Sequence, residues 1–351
     1  MVRVRLGEPQ SYMLKIIMKI IPIYLLTFLI SAFSFSIISA HHSEAAFDMN
    51  RVVSFNATIK ELRWRNPHVY IIIESQNNNI SEEWQIETGA TPIMMRSGWT
   101  SDILSPGENI FIRVHPERSG NRNYAMLVAV QKIDGTVLSQ NPTSVTGENL
   151  SGDLYGTWRA SQDSIDNFMN GLNRINLNDI AQNAKNDYDW TLQTPGARCI
   201  PYTVPRSYVA SNLFLTNISQ NDHSIVISSE YFDVKRDVLI SSSIPIDNPP
   251  SLHGSSTGRW EGVALIVETM NYSDNRVGNG NGVPSGINKN TIEKYYLIDN
   301  GSKLRMDFIL EDTGFLVDPF VSFLEFDYVP ADEFYAYDCD IDTSSQFMTY
   351  E

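Results

Sequence analysis

The sequence predicts an all-β protein of two antiparallel β-domains, a small OB-like barrel followed by a lipocalin-like barrel or curled sheet. Three observations carry that expectation. Short runs such as Asn109-Ile110-Phe111-Ile112-Arg113-Val114 and Leu304-Arg305-Met306-Asp307-Phe308-Ile309-Leu310 alternate polar and apolar residues, the period of a half-buried strand. Turn residues such as Pro106-Gly107 and Asp134-Gly135 punctuate the runs. Residues 139–152 are rich in Asn, Ser, Thr, Gly and Pro and read as a linker between domains 41–138 and 153–351.

The chain opens differently. Lys15 and Lys19 precede an apolar run from Ile20 to Ile38 that ends in Ser39-Ala40. This is the layout of a secretory signal peptide over 1–40, cut near Ala40, which predicts a periplasmic or secreted mature chain. An uncleaved anchor is the alternative, since roughly 18 or more apolar residues can span a bilayer. Translation can start at Met1, Met13 or Met18. The precursor carries a net charge of −15; residues 1–40 hold four cations against Glu8, so the mature chain would carry −18. Such acidity argues against a nucleic-acid partner, whose phosphates require basic patches. Membrane contact is expected only through the signal during export. Cys199 and Cys339 are the only two cysteines. In an exported chain they most simply form one disulfide, with two buried thiols as the alternative.

In the first domain, strands are expected over 52–59, 68–74, 83–87, 109–114 and 124–132, with a short helix from Ile93 stopped at Gly98. Five or six short strands and one small helix suit a compact barrel. His41-His42-Ser43, Trp64-Arg65-Asn66-Pro67-His68, Trp84-Gln85-Ile86-Glu87, Arg96-Ser97-Gly98-Trp99 and Leu104-Ser105-Pro106-Gly107-Glu108 follow one another in order. This pattern resembles a family of exported bacterial proteins known as a domain of unknown function. The resemblance implies a location and a β-fold, and no catalytic residues.

After cleavage, His41 would offer an amine and an imidazole to one ion. His42 would add a second ring, and His68 and His115 could supply more. Nitrogen-rich sets of this kind suit copper, then zinc. The competing reading is structural: a chain terminus is usually mobile, His68 caps a strand start, and His115 sits in a turn before Pro116.

Asp153-Leu154-Tyr155-Gly156-Thr157-Trp158 opens the second domain, its Gly-x-Trp resembling the start of lipocalin-like barrels, where the Trp plugs one end. Residues 160–190 read as a polar, solvated cover with a helix over 177–187. Strands are expected around 225–227, 231–234, 238–240, 265–269, 292–297, 304–310 and 320–328, and residues 278–286 read as a mobile hairpin tip. Arg198-Cys199-Ile200-Pro201, Pro205-Arg206, Gly258-Arg259-Trp260-Glu261-Gly262, Leu265 to Tyr272, Glu311-Asp312 and Asp318-Pro319 resemble a second pattern of uncharacterised exported bacterial proteins. Those proteins carry Asp-Thr where this chain has Val263-Ala264. The pattern includes both cysteines, which supports pairing them.

Several motifs are candidates for chemistry. Gly254-Ser255-Ser256-Thr257-Gly258 has the form of a nucleophile motif, but it leads into a strand and no His follows residue 253. Asp338, Asp340 and Asp342 have calcium-loop spacing without the required Gly or the final Glu. His253, Arg259, Trp260 and Glu261 form a candidate pocket mouth. Glu268, Glu293 and Glu311 would have to converge inside a barrel to act as acid–base groups. The expectation is therefore an exported, non-catalytic binding protein for a small ligand or an exported protein partner. Copper or zinc binding through His41, His42 and His68 is the first alternative. An enzyme using carboxylates inside the second domain is the next.

Overall fold

The computed structural model describes residues 46–77, 80–140, 149–240, 248–280 and 282–346. The signal-peptide expectation, His41 and His42 lie outside the described residues. All named strands and helices fall in one compact unit, Phe47–Glu351.

The first barrel is built from β1 (Val53–Arg63), β2 (Tyr70–Asn77), β3 (Ile80–Glu87), β4 (Asn109–Pro116) and β5 (Tyr124–Lys132), with β6 (Val137–Ser139) added beyond β5. The sheet order is β3-β2-β1-β4-β5, closed by a parallel pairing of β3 with β5 from Gln85↔Tyr124 to Glu87↔Met126. A short helix α1 (Thr91–Arg96) lies between β3 and β4. A five-stranded barrel with this order is the OB arrangement expected from the sequence. Alternation explains why it closes: in β4, Ile110, Ile112 and Val114 are buried while Asn109, Phe111 and Arg113 are exposed. With Ile59, Ile71, Ile73, Ile86 and Leu127 they form an apolar core, each side chain stabilising by roughly 1.5–3 kcal/mol. Trp99 is buried over this core, and its Nε1 donates to Ser139 O at 2.8 Å.

The second barrel is larger than the sequence suggested. Its strands are β7 (Gly156–Ala160), β8 (Thr216–Gln220), β9 (Ser224–Ser229), β10 (Val234–Ile240), β11 (Ser255–Glu261), β12 (Ala264–Met270), β15 (Asn290–Ile298), β16 (Lys303–Glu311) and β17 (Phe320–Tyr328). They close in the order β10-β11-β12-β15-β16-β17-β7-β8-β9. Every neighbouring pair is antiparallel except β10 with β11. That parallel seam departs from the all-antiparallel expectation. It is also short, running only from Val238↔Ser256 to Ile240↔Gly258. Trp158 is fully buried in the core of this barrel, with Nε1 donating to Leu154 O at 3.0 Å.

Three other expectations are corrected. Residues 160–190 are not a solvated cover: α2 (Gln162–Leu172), capped by Ser161, buries Ile165, Phe168 and Leu172 in the barrel core. Phe168 packs against Phe308, Phe320 and Tyr208. The expected helix over 177–187 is α3 (Asp179–Asn186). Residues 278–286 are not a hairpin tip in solvent, because β13 (Asn275–Gly280) and β14 (Val283–Ser285) pair with Val277, Asn279 and Val283 buried. Tyr231-Phe232-Asp233 is a 3₁₀ turn rather than a strand, with Phe232 and Asp233 in the left-handed region.

A third apolar cluster joins the two barrels: Ala90 beside α1 meets Phe214, Phe232, Val234 and Tyr337. Polar contacts frame it. Glu230, fully buried, accepts two hydrogen bonds from Arg96 Nη1, at 2.7 and 2.9 Å, and others from the backbone of Leu215 and Tyr335. Asn66, behind a cis peptide with Pro67, donates to Tyr337 O and accepts from Thr91 N. Cys199 and Cys339 form a disulfide that fastens the C-terminal strap beside this junction.

Candidate functional site

The alternation of β10 sets the site. Val234, Arg236 and Val238 are buried, while Lys235, Asp237 and Leu239 are exposed. Arg236 therefore occupies a position that the pattern reserves for an apolar side chain. On β15 the same side of the sheet carries Thr291, Glu293 and Tyr295. Arg236 Nη2 and Glu293 Oε2 lie 2.8 Å apart, and Glu293 is completely buried. Tyr208, from the turn Arg206–Ala210, donates to Glu293 Oε1 and accepts from Arg236 Nη2 at 2.8 Å. Tyr295 Oη is 3.3 Å from Glu293 Oε2.

Burial alone would lower the Arg236 pKa. The Glu293 charge and the surrounding tyrosines outweigh it, and the guanidinium is held protonated. Desolvation pushes the Tyr208 and Tyr295 hydroxyls well above their ordinary value, so they act as neutral hydrogen-bonding groups. Arg236 Nη1 is buried and has no hydrogen-bond partner among the described residues. An unpaired buried donor of this kind is costly to leave unmet.

Near this layer sits a second buried cation. Lys289 donates to Val204 O and Gly278 O, and its ammonium lies 4.5 Å from the Tyr272 ring centroid. Burial pushes its pKa down to about 7, against a smaller opposing pull from Asp312. Asp312 is itself held by Asn279 Nδ2 at 2.8 Å and Gly286 N at 3.0 Å.

Between β10 and the start of β11 the barrel wall holds a cavity of about 380 Å³, lined by Lys235, Arg236, Asp237, Ser251, His253 and Ser255 among others. It lies beside the short parallel seam, where pairing begins only at Val238. The His253 pKa is lowered to about 4, first by burial and then by the charges of Arg236 and Lys289, so the ring is neutral at pH 7.

Of the pocket residues expected from the sequence, only His253 lines this cavity. Arg259, Trp260 and Glu261 stand at the far end of β11 and are exposed, with Arg259 paired to Glu261 and Glu268. The Gly254–Gly258 motif leads into β11, and Ser256 is bonded to Thr269. The three glutamates do not converge: Glu293 is buried, Glu268 faces Arg259, and Glu311 is exposed. Asp340 caps the following helical turn at Thr343 N and pairs with Arg65, a structural role. His68 Nδ1 is bonded to Thr88 O at 3.0 Å and lies 3.4 Å from Glu87. His115 lies within β4, not in a turn, and bonds Arg51 O at 2.9 Å. Among the described residues no group of three or more His, Cys, Asp or Glu is gathered as a metal-ligand set.

Sequence reasoning missed Arg236, Tyr208, Lys289 and Asp312. Arg236 left a legible trace, a cation between two valines on one face of a strand. Lys289 left none, because its partners are backbone carbonyls, Val204 O and Gly278 O, which carry no side-chain signature.

No curated protein matches the chain. Among the described residues, no helix is long and apolar enough to cross a membrane, and the disulfide is compatible with an oxidising compartment. Residues 30–126 match the model of a family of unknown function, DUF6152, a span that runs through the first barrel from β1 into β5.

Proposed function

We propose that the protein is an exported, non-catalytic binding protein whose second barrel holds a small ligand in the seam beside β10 and β11. The observation that carries this reading is Arg236: it is buried, lines a cavity of about 380 Å³, and has an Nη1 with no partner among the described residues. A cavity of this size falls within the usual range for small-molecule sites, about 300–1,000 Å³. Periplasmic location is part of the proposal and is supported by the Lys15 to Ala40 pattern together with the disulfide. Native mass spectrometry of protein recovered from its own compartment tests it. The expected result is a small molecule carried at near-stoichiometric level and lost in Ser255→Trp, which fills the cavity. A bound molecule retained by that variant would reject the site.

One observation favours copper or zinc binding as a second reading. His68 engages a backbone carbonyl through Nδ1, the arrangement that fixes a metal-binding imidazole and leaves Nε2 for the ion. Phe47 packs on Tyr124, whose hydroxyl donates to Glu87 next to His68. Copper affinity unchanged by His68→Ala and by acetylation of the mature amine would reject this reading.

A further inference from the structure

Lys289, Asn279 and Asp312 are buried in the second barrel, only 1%, 0% and 2% exposed. None of the three is among the residues lining the seam cavity. The turn between β14 and β15 brings Lys289 to β13, where its Nζ donates to Gly278 O at 2.6 Å; Asn279 is the next residue. A second donation goes to Val204 O. An ammonium has three N–H donors and a neutral amine has two. Loss of one proton therefore leaves both carbonyl contacts in place and frees a lone pair. Burial favours that loss, bringing the pKa down to about 7 against the pull of Asp312. The neutral amine is the nucleophilic form.

The Asn279 carboxamide is held in place beside it. Its Nδ2 donates to Pro284 O at 2.7 Å and to Asp312 Oδ2 at 2.8 Å, which uses both of its N–H groups. Asp312 also accepts from Gly286 N at 3.0 Å and Gly314 N at 3.3 Å, so its carboxylate is fixed. A carboxylate thus sits directly on the amide nitrogen, and its charge is felt at the Lys289 amine. The surroundings are apolar: the Tyr272 ring centroid is 4.5 Å from Lys289 Nζ, and Val277 and Val283 are buried on the same hairpin as Asn279. Water is excluded, which protects a reacting amide from hydrolysis.

We propose that Lys289 and Asn279 join in an intramolecular isopeptide bond, with Asp312 carrying the proton. Lys289 Nζ attacks Asn279 Cγ as a free amine. Asp312 takes the proton that Nζ releases and delivers it to Nδ2, where its hydrogen bond already lies. The Cγ–Nδ2 bond breaks and ammonia leaves. One C–N bond forms and one breaks, so the step needs no oxidant, reductant or co-reactant. Forming the bond moves the Lys289 tip off Gly278 O and onto the side chain of the next residue. The product ties β13 covalently to the entry of β15 across the β13–β14 hairpin.

Tryptic mapping of the reduced, denatured full chain tests the bond. In an unlinked chain trypsin cuts after Arg276, Lys289 and Lys294; a Lys289 whose amine is acylated is not cut. The expected result is residues 277–294 recovered as one peptide lighter by one ammonia, about 17 Da, with no backbone fragment ions from between Asn279 and Lys289. Cleavage after Lys289 at full mass would overturn the bond. Loss of ammonia with Lys289 still cut would overturn it too, because that pattern marks a succinimide at Asn279-Gly280. These outcomes are read on the parent chain and need no variant. The linked fraction should fall at least tenfold in Asp312→Asn and persist in Asp312→Glu. Loss in both variants, or in neither, would remove Asp312 from the step while leaving the bond.

Discussion

The two barrels solve closure in opposite ways. The first fills its interior with aliphatic side chains, Ile59, Ile71, Ile73, Ile112, Val114 and Leu127 among them. The second has an apolar core of its own, built on Leu304, Met306, Phe308 and Leu324, yet it also buries Arg236, Glu293, Lys289 and Asp312. A well-packed apolar layer would serve closure at least as well, because burying ions carries a desolvation cost that their attraction only partly offsets. The difference teaches that the first barrel is a packing solution, whereas on the proposed function the charged layer of the second serves the seam cavity beside it.

The comparison can be broken in several places. The largest effect is expected at the disulfide, which spans 140 residues and fastens the strap that covers the junction between the barrels. Replacing both cysteines by serine should cost about 4–5 kcal/mol in the chain-entropy account of so long a loop. Urea unfolding measures it. A cost near zero would mean that the apolar junction around Phe214, Phe232 and Tyr337 holds the barrels without help.

Next is Arg236→Met, which strands the Glu293 carboxylate in the interior. A loss of about 3–5 kcal/mol is expected. The matching change in the first barrel, Ile71→Ala, removes buried aliphatic atoms and should cost roughly 2–5 kcal/mol. The two single changes look alike; they differ in reversibility. Adding Glu293→Leu should restore most of what Arg236→Met loses, whereas a cavity left at Ile71 has no such partner.

A smaller effect is expected with pH. The folded-state pKa of His253 is lowered to about 4, below its ordinary 6.5. Between those values the unfolded chain takes up a proton that the folded chain refuses. Its contribution is therefore present above pH 6.5 and is lost as pH falls toward 4. Thermal melts from pH 7 to pH 4 should show a shallower decline in His253→Gln than in the parent chain. Parallel curves would mean that the ring is solvated rather than set into the seam.

Arg259→Ala should do least. Its pairs with Glu261 and Glu268 are solvent-exposed, and such contacts contribute little to stability. A larger loss, or lost ligand binding, would return the exposed end of β11 to consideration as a site.

The parts of this architecture that were readable in advance are those written in period two. β4, β16 and β17 announce themselves by alternation, and β12 by its run of apolar residues. The buried role of α2 was less visible because Ile165, Phe168 and Leu172 are separated by Asp, Asn and Met, yet their spacing along a helix marks one apolar face. The parallel seam could not be read, since strand direction depends on how the chain returns between β10 and β11. Most of the site was hidden for a related reason. His253 comes from a loop, Arg236 and Glu293 from strands far apart in the chain, Tyr208 from a short turn, and Lys289 from a loop. Only closure of the barrel brings them together. The exposed Arg259-Trp260-Glu261 run drew attention by its chemistry, and its strand carried it to the wrong end of the wall.

The central claim is that the charged layer serves binding rather than closure. Arg236→Met with Glu293→Leu in one chain tests it most directly, with urea unfolding and native mass spectrometry on the same preparation. The account predicts stability within about 1–2 kcal/mol of the parent chain and complete loss of the bound small molecule. A stable double variant that still carries the molecule would contradict it.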